Sequence, residues 1–184
     1  MNTIMISGSR SESGQTARAA AALLEGFKAA GGQGETVFLP KMNLERCRQC
    51  DESGWGACLR EGRCVIEDDF ADIVARIIAA DCVVFATPVY FSDLSESLKA
   101  FLDRLRRVNR CEAARVRMGP KPAVGVCVAG GGGGGAPACQ AALEKTLQNC
   151  GLDVIDMIGI RRQNLPMKLD VLAIVGRWLT RAKE

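Results

Sequence analysis

The run "CVVFATP" at residues 82–88 is apolar without a break. A strand that is half in water alternates apolar and polar residues; an unbroken run belongs to a strand covered on both faces, as in the middle of a parallel sheet. The rest of the chain is built to match. "TIMIS" (3–7), "ETVFLP" (35–40), "PAVGVCVA" (122–129) and "LDVIDMIGI" (152–160) are further strand-like runs, and each is followed by a helical pattern. "QTARAAAALLEGFKAAGG" sets Leu23, Leu24 and Phe27 on one face and stops at Gly31-Gly32. From residue 67, "EDDFADIVARIIAADC" spaces Phe70, Ile73, Val74, Ile77 and Ile78 as a helix, its three leading acids suiting the positive end of the dipole. "SDLSESLKAFLDRLRRV" carries Leu94, Leu98, Phe101, Leu102, Leu105 and Val108 on one stripe, with Ser92 and Asp93 as candidate N-caps. "APACQAALEKTLQNCG" has Pro137 near its start and Gly151 near its end. "LDVLAIVGRWLTRAK" turns Val171, Leu172, Val175, Trp178 and Leu179 inward. Five strands alternating with five helices predict an α/β fold, a doubly wound parallel sheet with helices on both faces.

Composition then narrows the function. The chain has 184 residues, 48% of them hydrophobic, enough for one core and a single domain over residues 1–184. Its net charge of +3 gives no reason to expect nucleic acid as a partner. Positive charge gathers at residues 104–121, which reads as a solvated helix face and loop, or as a patch for an anionic substrate. No signal peptide or membrane-length apolar run is visible, so a cytoplasmic protein without a membrane partner is expected. There is no histidine, which removes Ser-His-Asp and Cys-His catalysis.

Ligands of open α/β sheets bind beyond the carboxyl ends of the strands. Three such ends are suggestive here. "SGSRSESGQT" (7–16) leads hydroxyls and glycines straight into a helix, whose free N–H groups can hold a phosphate, although the spacing is that of neither a Walker A loop nor GxGxxG. "TPVYFSD" (87–93) turns the backbone of Val89, Tyr90 and Phe91 toward the same rim and holds the chain's only tyrosine. The glycine run 130–135 lets a ligand lie against bare backbone. One anionic group and one flat ring would suit all three.

The one long interruption, residues 40–66, carries "CRQCDESGWGACLREGRC". Its four cysteines, out of nine, read as a metal or iron–sulfur site, a disulfide staple or a Cys-tolerant accident. An odd total and a reducing compartment fit the staple poorly. The remaining five, Cys82, Cys111, Cys127, Cys139 and Cys150, read as small buried hydrophobes.

These segments resemble the flavodoxin-like NAD(P)H-dependent FMN reductases. "GSRSESGQT" is similar to that family's phosphate loop, through Gly8, Ser9, Gly14 and Thr16. "PVYFSDLSESLKAFLDR" is similar to its flavin-ring segment, through Pro88, Val89, Tyr90, Leu98, Lys99, Phe101, Asp103 and Arg104. "CVIEDDF" (64–70) resembles the close of the cysteine motif in the iron–sulfur flavoprotein branch, and Cys47 and Cys50 match its opening. Ser53 stands where that branch has its third cysteine, and Cys58 is a delayed substitute.

The resemblance implies a five-stranded sheet in the order 2-1-3-4-5 and an FMN-dependent NAD(P)H oxidoreductase in which NAD(P)H stacks on FMN and reduces it, with no catalytic side chain. It implies cofactor contacts from Ser9, Arg10, Ser11, Ser13, Gly14, Gln15 and Thr16 to the phosphate, and from Pro88, Val89, Tyr90, Phe91, Ser92, Ala129, Gly130, Gly131 and Gly132 to the ring. Cys47, Cys50, Cys58 and Cys64 are then the ligands of a [4Fe-4S] cluster that passes electrons to an unidentified acceptor, in a homodimer or homotetramer. A zinc ion or free thiols remain open for those cysteines. Two other classes stay open for the whole chain: a flavodoxin-like electron carrier that does not oxidise NAD(P)H, and a flavin-free zinc-binding interaction module.

Overall fold

The computed structural model describes residues 1–181. Five parallel strands, β1 (Asn2–Ser7), β2 (Gln33–Phe38), β3 (Cys82–Pro88), β4 (Pro122–Ala129) and β5 (Asp153–Arg161), lie in the order β2-β1-β3-β4-β5. This is the doubly wound order expected from the resemblance. Alternation along the central strands splits the core in two. Ile4, Ile6, Val83, Phe85 and Cys127 point to one face, and Met5, Val84, Ala86, Val124, Val126 and Val128 to the other.

Among the described residues, seven α-helices surround the sheet: α1 (Gln15–Ala29), α2 (Gly56–Arg60), α3 (Phe70–Ala79), α4 (Glu96–Val108), α5 (Glu112–Met118), α6 (Ala136–Asn149) and α7 (Leu165–Leu179). Helices α1 and α7 cover one face, and α3, α4, α5 and α6 the other. The pattern of the sequence leaves out the short α2 and α5. Helix α7 begins four residues earlier than its apolar pattern, with Pro166 in its first turn. Residues 182 and 183 of the last expected helix lie outside the described residues.

Trp178 corrects the expectation of an inward stripe, because it is half exposed while Leu165, Leu172, Gly176 and Leu179 face in. The reason is the crossing of α1 and α7. A Cβ on Gly26 would sit 2.1 Å from the Ala173 carbonyl oxygen, and one on Gly176 would sit 2.0 Å from that of Leu23. The two backbones meet at these glycines, and the large ring of Trp178 falls outside the seam. No helix among the described residues is long and apolar enough to cross a membrane.

Candidate functional site

The order of strands reverses between β1 and β3, where ligands of such sheets bind. A cleft of about 620 Å³ opens there, a size suited to a small-molecule ligand. Gly8 locks its two nearest walls together. Its N–H donates to the Ala86 carbonyl at 2.8 Å, its carbonyl accepts from Ser97 Oγ at 3.3 Å, and a Cβ there would lie 2.1 Å from Ser95 Oγ.

The first wall is the loop into α1. Gly14 is the N-cap and offers no side-chain acceptor, so the N–H groups of Gln15, Thr16 and Ala17 have no acceptor among the described residues. Ser9, Gln15 and Thr16 line the cleft. Arg10, Ser11, Ser13 and Gly14 sit in the same loop outside that lining. Ser11 shapes it, its carbonyl accepting from Ser9 Oγ at 3.1 Å and its Oγ from Ser13 N–H at 3.4 Å.

The second wall is a two-residue hairpin. Tyr90 N–H donates to the Asp93 carbonyl at 3.0 Å, and Asp93 N–H returns to Tyr90 at 2.9 Å. Phe91 (φ 48°) and Ser92 (φ 67°) therefore occupy the left-handed turn positions that Asn-Gly usually fills. The expected set of ring-facing amides is corrected by these bonds. Val89 N–H is taken by the Val128 carbonyl at 3.0 Å and Tyr90 N–H by Asp93, which leaves those of Phe91 and Ser92. The expected N-caps are corrected for the same reason. Ser92 and Asp93 serve the hairpin, and α4 starts three residues on, with Ser95 Oγ accepting from Leu98 N–H. Asp93 is bound to Lys99 Nζ at 2.9 Å. That bond, aided by the N–H of Leu94, holds the Asp93 carboxyl below its usual pKa.

The third wall is the glycine run. Gly133 N–H closes a turn onto the Gly130 carbonyl at 3.1 Å, with Gly131 at φ 44° and Gly133 at φ 75°. Gly135 is also required, since a Cβ would fall 2.8 Å from Ser92 Oγ. Gly130, Gly132 and Gly134 meet neither condition: none is left-handed and a Cβ on each would meet no atom within 4 Å. Gly130 and Gly134 line the cleft and Gly132 does not. Sequence reasoning reached Ala129, Gly130 and Gly131 singly and the run 130–135 as a whole; it missed Val128, at the end of β4. Free amides at a helix start, two more on a rigid hairpin, and bare backbone opposite fit a flat ring with an anionic tail, as FMN has.

The cysteine loop is pinned at both ends. Asp69 N–H donates to the Asn43 carbonyl at 3.0 Å, Asp69 Oδ2 accepts from Asn43 N–H at 2.7 Å, and Asp68 Oδ2 from Glu45 N–H at 2.8 Å. Asp68 is buried against the guanidinium of Arg104, with contacts of 2.6 and 2.8 Å. Burial acts to raise its pKa, but Arg104 and the N–H groups of Glu45 and Phe70 outweigh it and hold it below the usual value. Arg104 also donates to the Glu45 carbonyl at 2.9 Å and lies 4.2 Å over the Phe70 ring. The reading of residues 104–121 as a solvated face is therefore corrected at Arg104, which is 2% exposed.

Between the pins, Asp51 accepts from Ser53 Oγ at 2.7 Å, Trp55 N–H at 3.2 Å and Gly56 N–H at 2.9 Å. This turn and the short α2 carry Cys58 back to the others. Cys47, Cys50, Cys58 and Cys64 line one small pocket with Trp55, Ile66 and Arg107. Ser53, which replaces the expected third cysteine, thus helps to build the turn that delivers Cys58.

No group of three or more thiol or carboxylate side chains among the described residues is placed to hold one metal ion. A zinc site needs every sulfur about 2.3 Å from a single ion. A four-iron cube takes one thiolate at each of four separate irons, so its ligands stay apart. Four thiols on one pocket are the donor set that such a cluster takes, and the space now among them is about 20 Å³. The five cysteines outside the loop are buried, as expected of small apolar side chains.

The family described as NADPH-dependent FMN reductase matches residues 1–162. An iron–sulfur flavoprotein of Methanosarcina thermophila is 36% identical over 107 residues, 56% of this chain and 53% of that protein. Another from Methanocaldococcus jannaschii is 32% identical over 125 residues, 68% of this chain and 62% of its own length. The chain thus matches between about half and three-fifths of those relatives. A solved NAD(P)H:quinone oxidoreductase from Methanothermobacter marburgensis shares the fold, with a TM-score of 0.75 at 22% identity over 97% of this chain and 96% of that one.

Proposed function

Because the chain belongs to the NADPH-dependent FMN reductase family, we propose that it is an FMN-dependent NAD(P)H oxidoreductase of one domain, working in the cytoplasm as a homodimer or homotetramer. The observation that carries the reading is the convergence of three strand-end loops on one cleft at the reversal of strand order. FMN, when bound, supplies the uptake of electrons from NAD(P)H and their release to an acceptor. Everything else falls to the chain. The amides of Gln15, Thr16 and Ala17, with Ser9, hold the phosphate. The amides of Phe91 and Ser92 hydrogen-bond the carbonyl edge of the ring and favour negative charge there. Gly130 and Gly134 let the ring approach the backbone. Tyr90, more than half exposed, and Phe91, fully exposed, shield the ring from water at the mouth of the cleft.

The same reading gives Cys47, Cys50, Cys58 and Cys64 to a [4Fe-4S] cluster, which, when bound, supplies one-electron steps toward the acceptor. The names of the two curated relatives and the shared pocket support it. Anaerobic purification and an absorption spectrum test both parts. Flavin bands that bleach with NADPH or NADH are expected, with about four iron and four sulfide per chain. A protein that refuses FMN, or whose flavin NAD(P)H leaves oxidised, refutes the enzyme. A Cys58→Ser variant that keeps full iron removes Cys58 from the ligand set.

A further inference from the structure

Helix α4 turns two arginines, Arg104 and Arg107, three residues apart, toward the cysteine pocket. They differ from the others nearby. Arg48 and Arg63 also line the pocket, but both are exposed and each is bound to an acid in its own segment, Glu45 and Glu61. Arg104 donates through Nη2 to Cys64 Sγ at 3.3 Å. Arg107 lies with its guanidinium 4.5 Å over the Trp55 ring, and no carboxylate among the described residues pairs with it. The Nε donors of both arginines are buried and have no acceptor. Such orphaned donors are uncommon and costly.

Charge points the same way. With neutral thiols, the pocket holds two guanidinium cations against the single carboxylate of Asp68, a surplus of positive charge in a poorly hydrated place. A cube held by four thiolates is anionic whether oxidised or reduced, and gains one more negative charge on reduction.

We propose that Arg104 and Arg107 are positioning residues for the sulfur site, Arg104 through its contact with Cys64 and Arg107 through its charge in the same pocket, and that Arg107 sets how readily a cluster there accepts an electron. The proposal rests on the cluster reading above. Arg104 is largely neutralised by Asp68, whereas the charge of Arg107 is uncompensated and acts on the reduced state directly.

The test uses the full chain, reconstituted anaerobically with iron and sulfide, as wild type, Arg107→Gln and Arg107→Lys. Iron and sulfide are counted, and the midpoint potential is read by a redox titration followed by electron paramagnetic resonance. Removal of the charge in Arg107→Gln is expected to lower the constant for electron uptake about tenfold, a shift of about 59 mV to more negative potential for a one-electron couple. Arg107→Lys keeps the charge and stays within about threefold of wild type. A potential in Arg107→Gln equal to that of wild type overturns the proposal. So does an equal shift in both variants, which would be an effect of packing and not of charge. The potential is read from loaded protein only, so partial loss of iron leaves the comparison intact; complete loss from both variants overturns the assignment of Arg107 to the potential. Wild-type protein that takes up no iron overturns the cluster reading itself, a separate result from any of these.

Discussion

Alanine in place of Gly130, Gly132 or Gly134 separates what the fold needs from what the cleft needs. None of the three has a left-handed φ, and a methyl group on each would touch nothing within 4 Å. The folded chain accepts alanine at all three, and the loss of freedom in the unfolded chain makes each variant more stable by about 0.4–1 kcal/mol. Gly130 and Gly134 line the cleft, so their methyl groups occupy ligand space; Gly132 is outside it. A methyl group forced into a packed contact costs about 1–3 kcal/mol, which is about 5- to 150-fold in the dissociation constant for FMN. Urea denaturation of the FMN-free protein reads the first effect and quenching of FMN fluorescence reads the second. Stability and affinity should move in opposite directions for Gly130→Ala and Gly134→Ala, and stability alone should move for Gly132→Ala. If Gly134→Ala binds FMN as tightly as the unmodified chain, or if Gly132→Ala weakens binding as much, the cleft is not where the ring rests.

Other outcomes follow from the same contacts. Arg104→Met leaves Asp68 buried without its cation and should cost about 3–5 kcal/mol, about 10 °C in Tm; the double variant Arg104→Met with Asp68→Leu should recover most of it in thermal melts. The depressed pKa of Asp68 stabilises the fold above the usual carboxylate value of about 3.9, and that contribution is lost as pH falls through the lower folded value. An acid titration followed by circular dichroism should show this slope in the wild type and lose it in Asp68→Asn. Phe91→Gly relieves a left-handed aromatic residue and should raise the urea-derived stability by about 1–2 kcal/mol; a lower midpoint would refute the strain.

The strands and the order of elements were legible because burial on two faces writes unbroken apolar runs, as at residues 82–88. The entry to α4 was not. Ser92, Asp93 and Ser95 are all good caps, and only the reciprocal bonds of Tyr90 and Asp93 decide among them. The same bonds determine which ring-facing amides stay free. Trp178 shows a related limit: helical spacing defines a stripe, but the contact of Gly26 and Gly176 with the facing backbones sets where that stripe ends. For the candidate site, the loops could be named from their glycines and hydroxyls, whereas the turn closed by Gly133 onto Gly130 decides that Gly132, alone in its run, stays out of the cleft. The burial of Arg104 left no local trace in a basic stretch, since its partner Asp68 lies 36 residues away.

The two ties at Asn43 to Asp69 and Glu45 to Asp68 make the cysteine segment a closed circuit on the edge of the domain. The segment inside that circuit supplies no strand to the sheet and leans on α4 and α5 through Arg104, Cys111 and Arg117, so residues can be exchanged there without disturbing the strand order. A cysteine that slips five places along, as from Ser53 to Cys58, needs only a new internal bend to return to its neighbours. The arrangement makes the segment transplantable: a flavin domain that possesses the two clasps and Arg104 already has the socket into which such a sulfur-bearing piece can be grafted.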